Sequence, residues 1–224
     1  EGVMPRGTVT RDLIDFHVAV ARGGVAMTAL AYGAISKGAR VNRDTLVFTE
    51  DLIDDLTSLT GAVHDEGAAI AVQLGHAGLV GAAGSKRNPT LAAQLDEVVA
   101  DFAAAARVAE RAGFDAIELH FGHNYLVSSF FSPNLNRRTD DYGGDVQNRA
   151  RLARRVAEAV RETAPADMAV YAKLNMTDGV ARGLWLDQSI EIARLLEAHG
   201  HLDALELTRG SSLLNGIYFF RGAV

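Results

Sequence analysis

Cysteine is absent from the 224 residues of this chain. That removes a disulfide framework, a thiol nucleophile and any cysteine-ligated zinc or iron–sulfur site within these positions. Four prolines and 22 glycines leave no room for a fibrous or low-complexity reading. No apolar run approaches the roughly 18 residues that a membrane helix needs, so nothing here is expected to span a bilayer. Positive charge is the scarcer sign, with 22 Lys and Arg against 28 Asp and Glu and a net charge of −6. A surface built to hold phosphate backbone needs the opposite balance, which makes nucleic acid an unexpected partner. The start, Glu1-Gly2-Val3-Met4-Pro5-Arg6-Gly7-Thr8, has no basic segment followed by an apolar one, so no secretory signal is visible in it; a cytoplasmic location is the expectation. What is present is the composition of an ordinary globular protein, 48% hydrophobic and 22% charged, with enough apolar side chains for a sizeable core.

Short apolar runs alternate with longer amphipathic segments, the pattern of parallel βα units. Five runs read as buried strands: residues 25–32, 68–74, 114–120, 168–174 and 202–208. Between them, apolar residues recur at helical spacing over 51–66, 91–112, 145–163 and 186–199, and a further helix over 11–22 precedes the first strand. Gly67, Gly113 and Gly200 stop three of these helices, and Asp145 is placed to cap the start of another. No linker divides the chain, so residues 1–224 read as a single domain. Two parallel architectures remain, an open doubly wound sheet and a (β/α)8 barrel. The first asks for a glycine-rich phosphate loop after the first strand, and Ala31-Tyr32-Gly33-Ala34-Ile35-Ser36-Lys37-Gly38 contains none. The polar residues instead crowd at strand C-terminal ends: Gln73 and His76, His120 and His123, Lys173 and Asn175. A barrel keeps its active site there.

The densest chemistry is Ile117-Glu118-Leu119-His120-Phe121-Gly122-His123-Asn124-Tyr125. Two imidazoles three residues apart at a strand end are able to converge on one oxygen, donate two hydrogen bonds and stabilise negative charge that develops on it. A phenol two residues on is a proton carrier at neutral pH. Two plainer readings stand beside this one: loop histidines bonded to backbone, and a metal site built from His76, His120 and His123.

The run from His120 to Leu126, with Ser129-Phe130-Phe131-Ser132-Pro133, Asn136-Arg137-Arg138-Thr139-Asp140-Asp141-Tyr142-Gly143-Gly144 and Asn148-Arg149, resembles the signature of the old yellow enzyme family. The resemblance extends to Val72-Gln73-Leu74-Gly75-His76-Ala77-Gly78 upstream and Ala172-Lys173-Leu174 downstream. It implies an FMN-dependent oxidoreductase on a (β/α)8 TIM barrel, with this chain covering about strands 2 to 6 of eight. It also implies roles: His120 and His123 grip a substrate carbonyl or a phenolic ligand, Tyr125 donates the proton, and Gln73 and Lys173 bind the pyrimidine edge of the flavin. Hydride would pass from NADH or NADPH through the flavin to an activated C=C bond of a small electrophilic alkene. An iron–sulfur cluster, as in the dienoyl-reductase branch, would lie outside these residues, and a homo-oligomer is left open. Residues 137–149 are expected to fix their loop and cap the following helix, and Ser85-Lys86-Arg87 to form a solvated loop. Leu79 departs from the polar or basic residue usual after His-Ala-Gly, and residues 77–94 form a shorter segment than in most members. A rival of another class is a truncated, non-catalytic binding or assembly module that keeps the signature, with exposed strand edges inviting another chain.

Overall fold

The computed structural model describes residues 4–81 and 92–214. Its strands are β1 (Met27–Ala34), β2 (Leu46–Val47), β3 (Ala69–Gly75), β4 (Ala116–Phe121), β5 (Ala169–Asn175) and β6 (Ala204–Thr208). The helices are α1 (Arg11–Arg22), α2 (Ile53–His64), α3 (Ala92–Arg111), α4 (Leu126–Phe131), α5 (Val146–Arg149), α6 (Arg151–Thr163) and α7 (Leu186–His199). The strands form one sheet in the order β2-β1-β3-β4-β5-β6, and every pairing is parallel.

The strand sequences divide cleanly by the two-residue pleat. Ile70, Val72 and Leu74 on β3, Ile117, Leu119 and Phe121 on β4, and Val170, Ala172 and Leu174 on β5 are all fully buried. They belong to one apolar cluster with Leu56 and Leu59 of α2, Phe102 and Ala105 of α3, and Leu152 and Val156 of α6. The alternate positions are small near the strand starts and polar near the ends. In-register neighbours in a parallel sheet share a face, and the register pairs Gln73 with Glu118, His120 with Lys173 and Lys173 with Glu206. The hydrophobic periodicity that builds the core therefore gathers the polar side chains on the opposite face, at the strand ends.

Three elements differ from the sequence reading. A sixth strand, β2, pairs with β1 only through Gly33–Leu46 and Ala34–Val47; two residues carry no legible period. All six residues of α4 are buried, so this helix has no polar face and no amphipathic signal. The helix expected over 145–163 is two, α5 and α6, meeting at Ala150. Strand β1 also runs two residues later than expected, to Ala34, while Leu91 and Ser85-Lys86-Arg87 lie outside the described residues.

The loop that follows β4 and α4 is fixed by its own polar groups. Asn136 Nδ2 donates to the carbonyls of Phe130 and Tyr142 at 2.9 and 2.8 Å, Arg138 pairs with Asp140, and the buried Arg149 guanidinium donates to the Phe131 carbonyl. Asp145 caps α5, its carboxylate accepting from Asn148 N at 2.8 Å. Removing such a cap costs about 1 kcal/mol. Asp145→Ala is thus expected to lower the thermal midpoint by about 2–4 °C, measurable by calorimetry; an unchanged midpoint would show that water replaces the cap.

Candidate active site

An ionic layer crosses β3 to β6 below the strand ends. Gln73 Nε2 donates to Glu118 Oε2 at 2.8 Å. Lys173 Nζ lies 3.1 Å from Glu118 Oε1 and 3.1 Å from Glu206 Oε1. Glu118 is 1% exposed; burial and its bond with Glu206 hold its carboxyl above the usual carboxylate range, against the pull of Lys173. Burial opposes charge on Glu206 too, but bonds from Glu118 and Lys173 outweigh it and hold that carboxyl low. Lys173 feels the same burial penalty, and the two carboxylates more than offset it, so the ammonium stays charged.

Above this layer stand His120, His123, Tyr125 and Tyr32. The His120 and His123 rings lie 5.1 Å apart between centroids, and Tyr125 meets His120 edge-on at 4.5 Å. Tyr32, from β1, packs edge-on against Tyr125 at 5.7 Å and His120 at 6.4 Å, and its hydroxyl donates to the Ala39 carbonyl at 2.5 Å. Gly75 makes room for that ring: a Cβ there would sit 2.7 Å from the Tyr32 ring. Burial first, then His123 and Lys173, push His120 well below the ordinary imidazole value. Burial and Lys173 lower His123 to about 4. Both rings are therefore neutral at pH 7, each with one N–H to donate. Burial raises Tyr125, and burial together with Tyr125 raises Tyr32 further, so both phenols keep their protons. His120 Nδ1 is buried without a hydrogen-bond partner. A buried polar atom left unpaired costs about 1–3 kcal/mol, a cost that a ligand's polar atom paired with this nitrogen would recover.

His123 and the next residue, Asn124, take left-handed backbone angles, φ 62° and 59°. Asparagine adopts this region readily, but for histidine it costs about 1–2 kcal/mol, a strain met by bonds from the ends of neighbouring strands. His123 N donates to Asn175 Oδ1 at 3.3 Å, and His123 Nε2 lies 2.8 Å from Thr208 Oγ1.

The sequence-predicted residues Gln73, His120, His123, Tyr125 and Lys173 thus share the C-terminal end of the sheet. His76 does not join them as a ligand. Its Nδ1 accepts the Gly78 amide at 2.9 Å, and burial lowers it to about 4, the behaviour of a backbone-bonded loop histidine. Gly78, at φ 56°, lets that loop dock on α4, since a Cβ would lie 2.9 Å from Leu126 Cα. Among the described residues no group of three His, Asp or Glu is placed to hold a metal ion, and no helix is long and apolar enough to cross a membrane. Tyr32, Glu206, Thr208 and Asp178 enter the site or its support without having been singled out from sequence. Tyr32 had one usable signal, its place at a predicted strand end.

Residues 86–207 match the profile of the NADH:flavin oxidoreductase / NADH oxidase family. The chain is 60% identical, over its whole length, to the 4,4'-dithiodibutanoate disulfide reductase of Rhodococcus erythropolis, of which it covers 60%. It is 32% identical over 88% of its length to an NADPH dehydrogenase of Listeria monocytogenes, of which it covers 63%. The chain therefore spans about six tenths of these curated relatives. Among solved structures, morphinone reductase in complex with tetrahydroNAD superposes with a TM-score of 0.79 at 24% identity, over 92% of this chain and 66% of that one. The old yellow enzyme homologue from Zymomonas mobilis gives 0.78 at 23%, over 93% and 68%. These likenesses show the fold: the parallel sheet and its helices are an arc of a (β/α)8 barrel, as the sequence pattern suggests.

Proposed function

Because the chain belongs to the NADH:flavin oxidoreductase / NADH oxidase family, we propose that it carries the substrate site of an FMN-dependent oxidoreductase using NADH or NADPH. One observation carries the reading: a neutral histidine pair, one ring with a buried unpartnered Nδ1, beside a protonated tyrosine at the strand ends. The donor set below it fits the pyrimidine edge of a flavin. Gln73 offers an amide and Lys173 a retained cation, matched to an edge of C=O and N–H groups that gains negative charge on reduction. FMN bound there supplies hydride taken from the nicotinamide nucleotide.

The protein's own side chains do the rest. His120 and His123 donate to the carbonyl oxygen of an α,β-unsaturated substrate and hold the negative charge that moves onto it as the β-carbon receives hydride. Tyr125 gives its proton to the α-carbon. The balance is one hydride and one proton across the C=C bond, with Tyr125 reprotonated from solvent.

A second substrate class is favoured by the relative at 60% identity, which is named for reducing a disulfide. Here hydride cleaves S–S to leave one thiol and one thiolate, and a single proton neutralises the thiolate, giving two thiols. The neutral Tyr125 hydroxyl serves either proton transfer.

The two classes separate in one experiment. The flavin-loaded protein is reduced anaerobically with NADPH and mixed with cyclohexenone or with 4,4'-dithiodibutanoate. Alkene chemistry predicts fast return of the flavin absorbance with the enone and saturated ketone as product. Disulfide chemistry predicts that return with the disulfide and two thiols per flavin. A protein that retains no flavin absorbance on purification, or is reoxidised by neither compound, overturns the proposal.

A further inference from the structure

Asp178 lies fully buried in the loop after β5, and no cation is bonded to it among its hydrogen-bond partners in the described residues. Its Oδ1 accepts from Asn124 Nδ2 at 3.0 Å and from Asn175 Nδ2 at 2.9 Å. Its Oδ2 accepts from Ser132 Oγ at 2.6 Å and from Leu184 N at 2.8 Å. The donors come from the loop after β4, the end of α4, the end of β5 and the loop before α7. Gly183 leaves room for the carboxylate, since a Cβ at that position would lie 2.9 Å from Asp178 Oδ2.

Two of these bonds bear on His123. Asn124 is the second residue of the left-handed pair, and Asn175 is the residue whose Oδ1 receives the His123 amide at 3.3 Å. His120 sits on a strand, where the ladder fixes it; His123 sits on a turn, where the Asn175 contact on its amide acts beside Thr208 on its ring and the Ser212 amide on its carbonyl at 3.0 Å. We propose that Asp178 is a positioning residue. By holding Asn124 and Asn175 at once, it keeps the His123 turn left-handed and so sets the spacing of the two imidazoles. The proposal rests on the reading of His120 and His123 as an oxygen-binding pair. The chemistry requires a carboxylate. With four donors converging, an acceptor-only group satisfies them all, whereas an amide would turn its NH2 either toward the NH2 groups of Asn124 and Asn175 or toward the Leu184 amide.

The test uses the flavin-loaded protein and 4-nitrophenol, whose own absorbance reads binding to the pair independently of turnover. Asp178→Asn is expected to weaken that binding about tenfold, and to weaken it less than about twofold when His123→Ala is already present, because coupled residues are not additive. Wild-type affinity in Asp178→Asn, whatever its thermal midpoint, refutes the positioning role and leaves a purely structural one. So does a tenfold loss that persists undiminished beside His123→Ala. If Asp178→Asn does not fold, Asn175→Ala carries the same comparison: it removes the His123 amide contact and one donor to Asp178 while leaving the other three. Should His120→Ala and His123→Ala each bind 4-nitrophenol as the wild type does, the oxygen-binding reading fails, and this proposal with it.

Discussion

Tyr125→Phe is expected to slow alkene reduction about 100- to 10,000-fold, the usual range for loss of a positioned general acid, while reduction of the flavin by NADPH proceeds at the wild-type rate. In the proposed mechanism the first half-reaction needs no proton from Tyr125, and the second does. The ring is held edge-on to His120 at 4.5 Å and to Tyr32 at 5.7 Å, so the phenylalanine ring keeps the packing and the substitution isolates the hydroxyl. Burial raises the phenol above its ordinary value. The hydroxyl is therefore fully protonated at neutral pH, and its strength as an acid must come from the charge that builds on the substrate. Single-turnover mixing of the pre-reduced protein with an enone measures the step. A reoxidation rate within about threefold of wild type, smaller than any general-acid contribution, would remove Tyr125 from the mechanism and leave solvent as the proton source.

Stability is expected to fall steeply as pH drops from about 6.5 toward 4. Burial lowers His76 to about 4, burial and Lys173 lower His123 to about 4, and His120 is held well below its ordinary value by burial, His123 and Lys173. An unfolded chain titrates these groups near 6.5. Between the two values the unfolded state binds protons that the folded state refuses, so stability increases with pH in this window and is lost on acidification. Each fully buried histidine contributes a slope of up to about 1.4 kcal/mol per pH unit; the partly exposed His123 contributes less. Glu118, with its carboxyl held high, acts in the opposite sense over part of the window, but it is one group against three. Urea midpoints at pH 7.5, 6.0 and 5.0 report the sum. A flat profile would mean that these rings are protonated in the fold, which would also deprive His120 and His123 of the neutral donor role proposed for them.

Much of the fold is legible because its signals are local. Apolar alternation in Ile70-Ala71-Val72-Gln73-Leu74 and Ile117-Glu118-Leu119-His120 names a strand and sorts its side chains between two faces. Helical spacing of Leu56, Leu59 and Val63, or Leu152, Val156 and Val160, names the layer that covers one face. The strand β2 and the helix α4 escaped for local reasons too. The first is two residues long, and the second is buried on every side, so neither presents a period to read.

The candidate site divides along the same line. Gln73, His120, His123, Tyr125 and Lys173 were marked by residue type and by position at strand ends, which the chain encodes within a few residues of each. Tyr32, Thr208, Glu206 and Asp178 were not, because their partners lie far along the chain: Thr208 meets His123 from 85 residues away and Asp178 meets Asn124 from 54. The sequence by itself determined the alternation of strands and helices, and with it which chemical groups stand at the strand ends. Only the tertiary structure decided which imidazole nitrogen is left buried and unpaired, that Lys173 is gripped by two carboxylates, and that His123 is bent into a left-handed turn. Those outcomes depend on the register of parallel strands and on the desolvation that packing imposes, and neither is a property of any short stretch of chain.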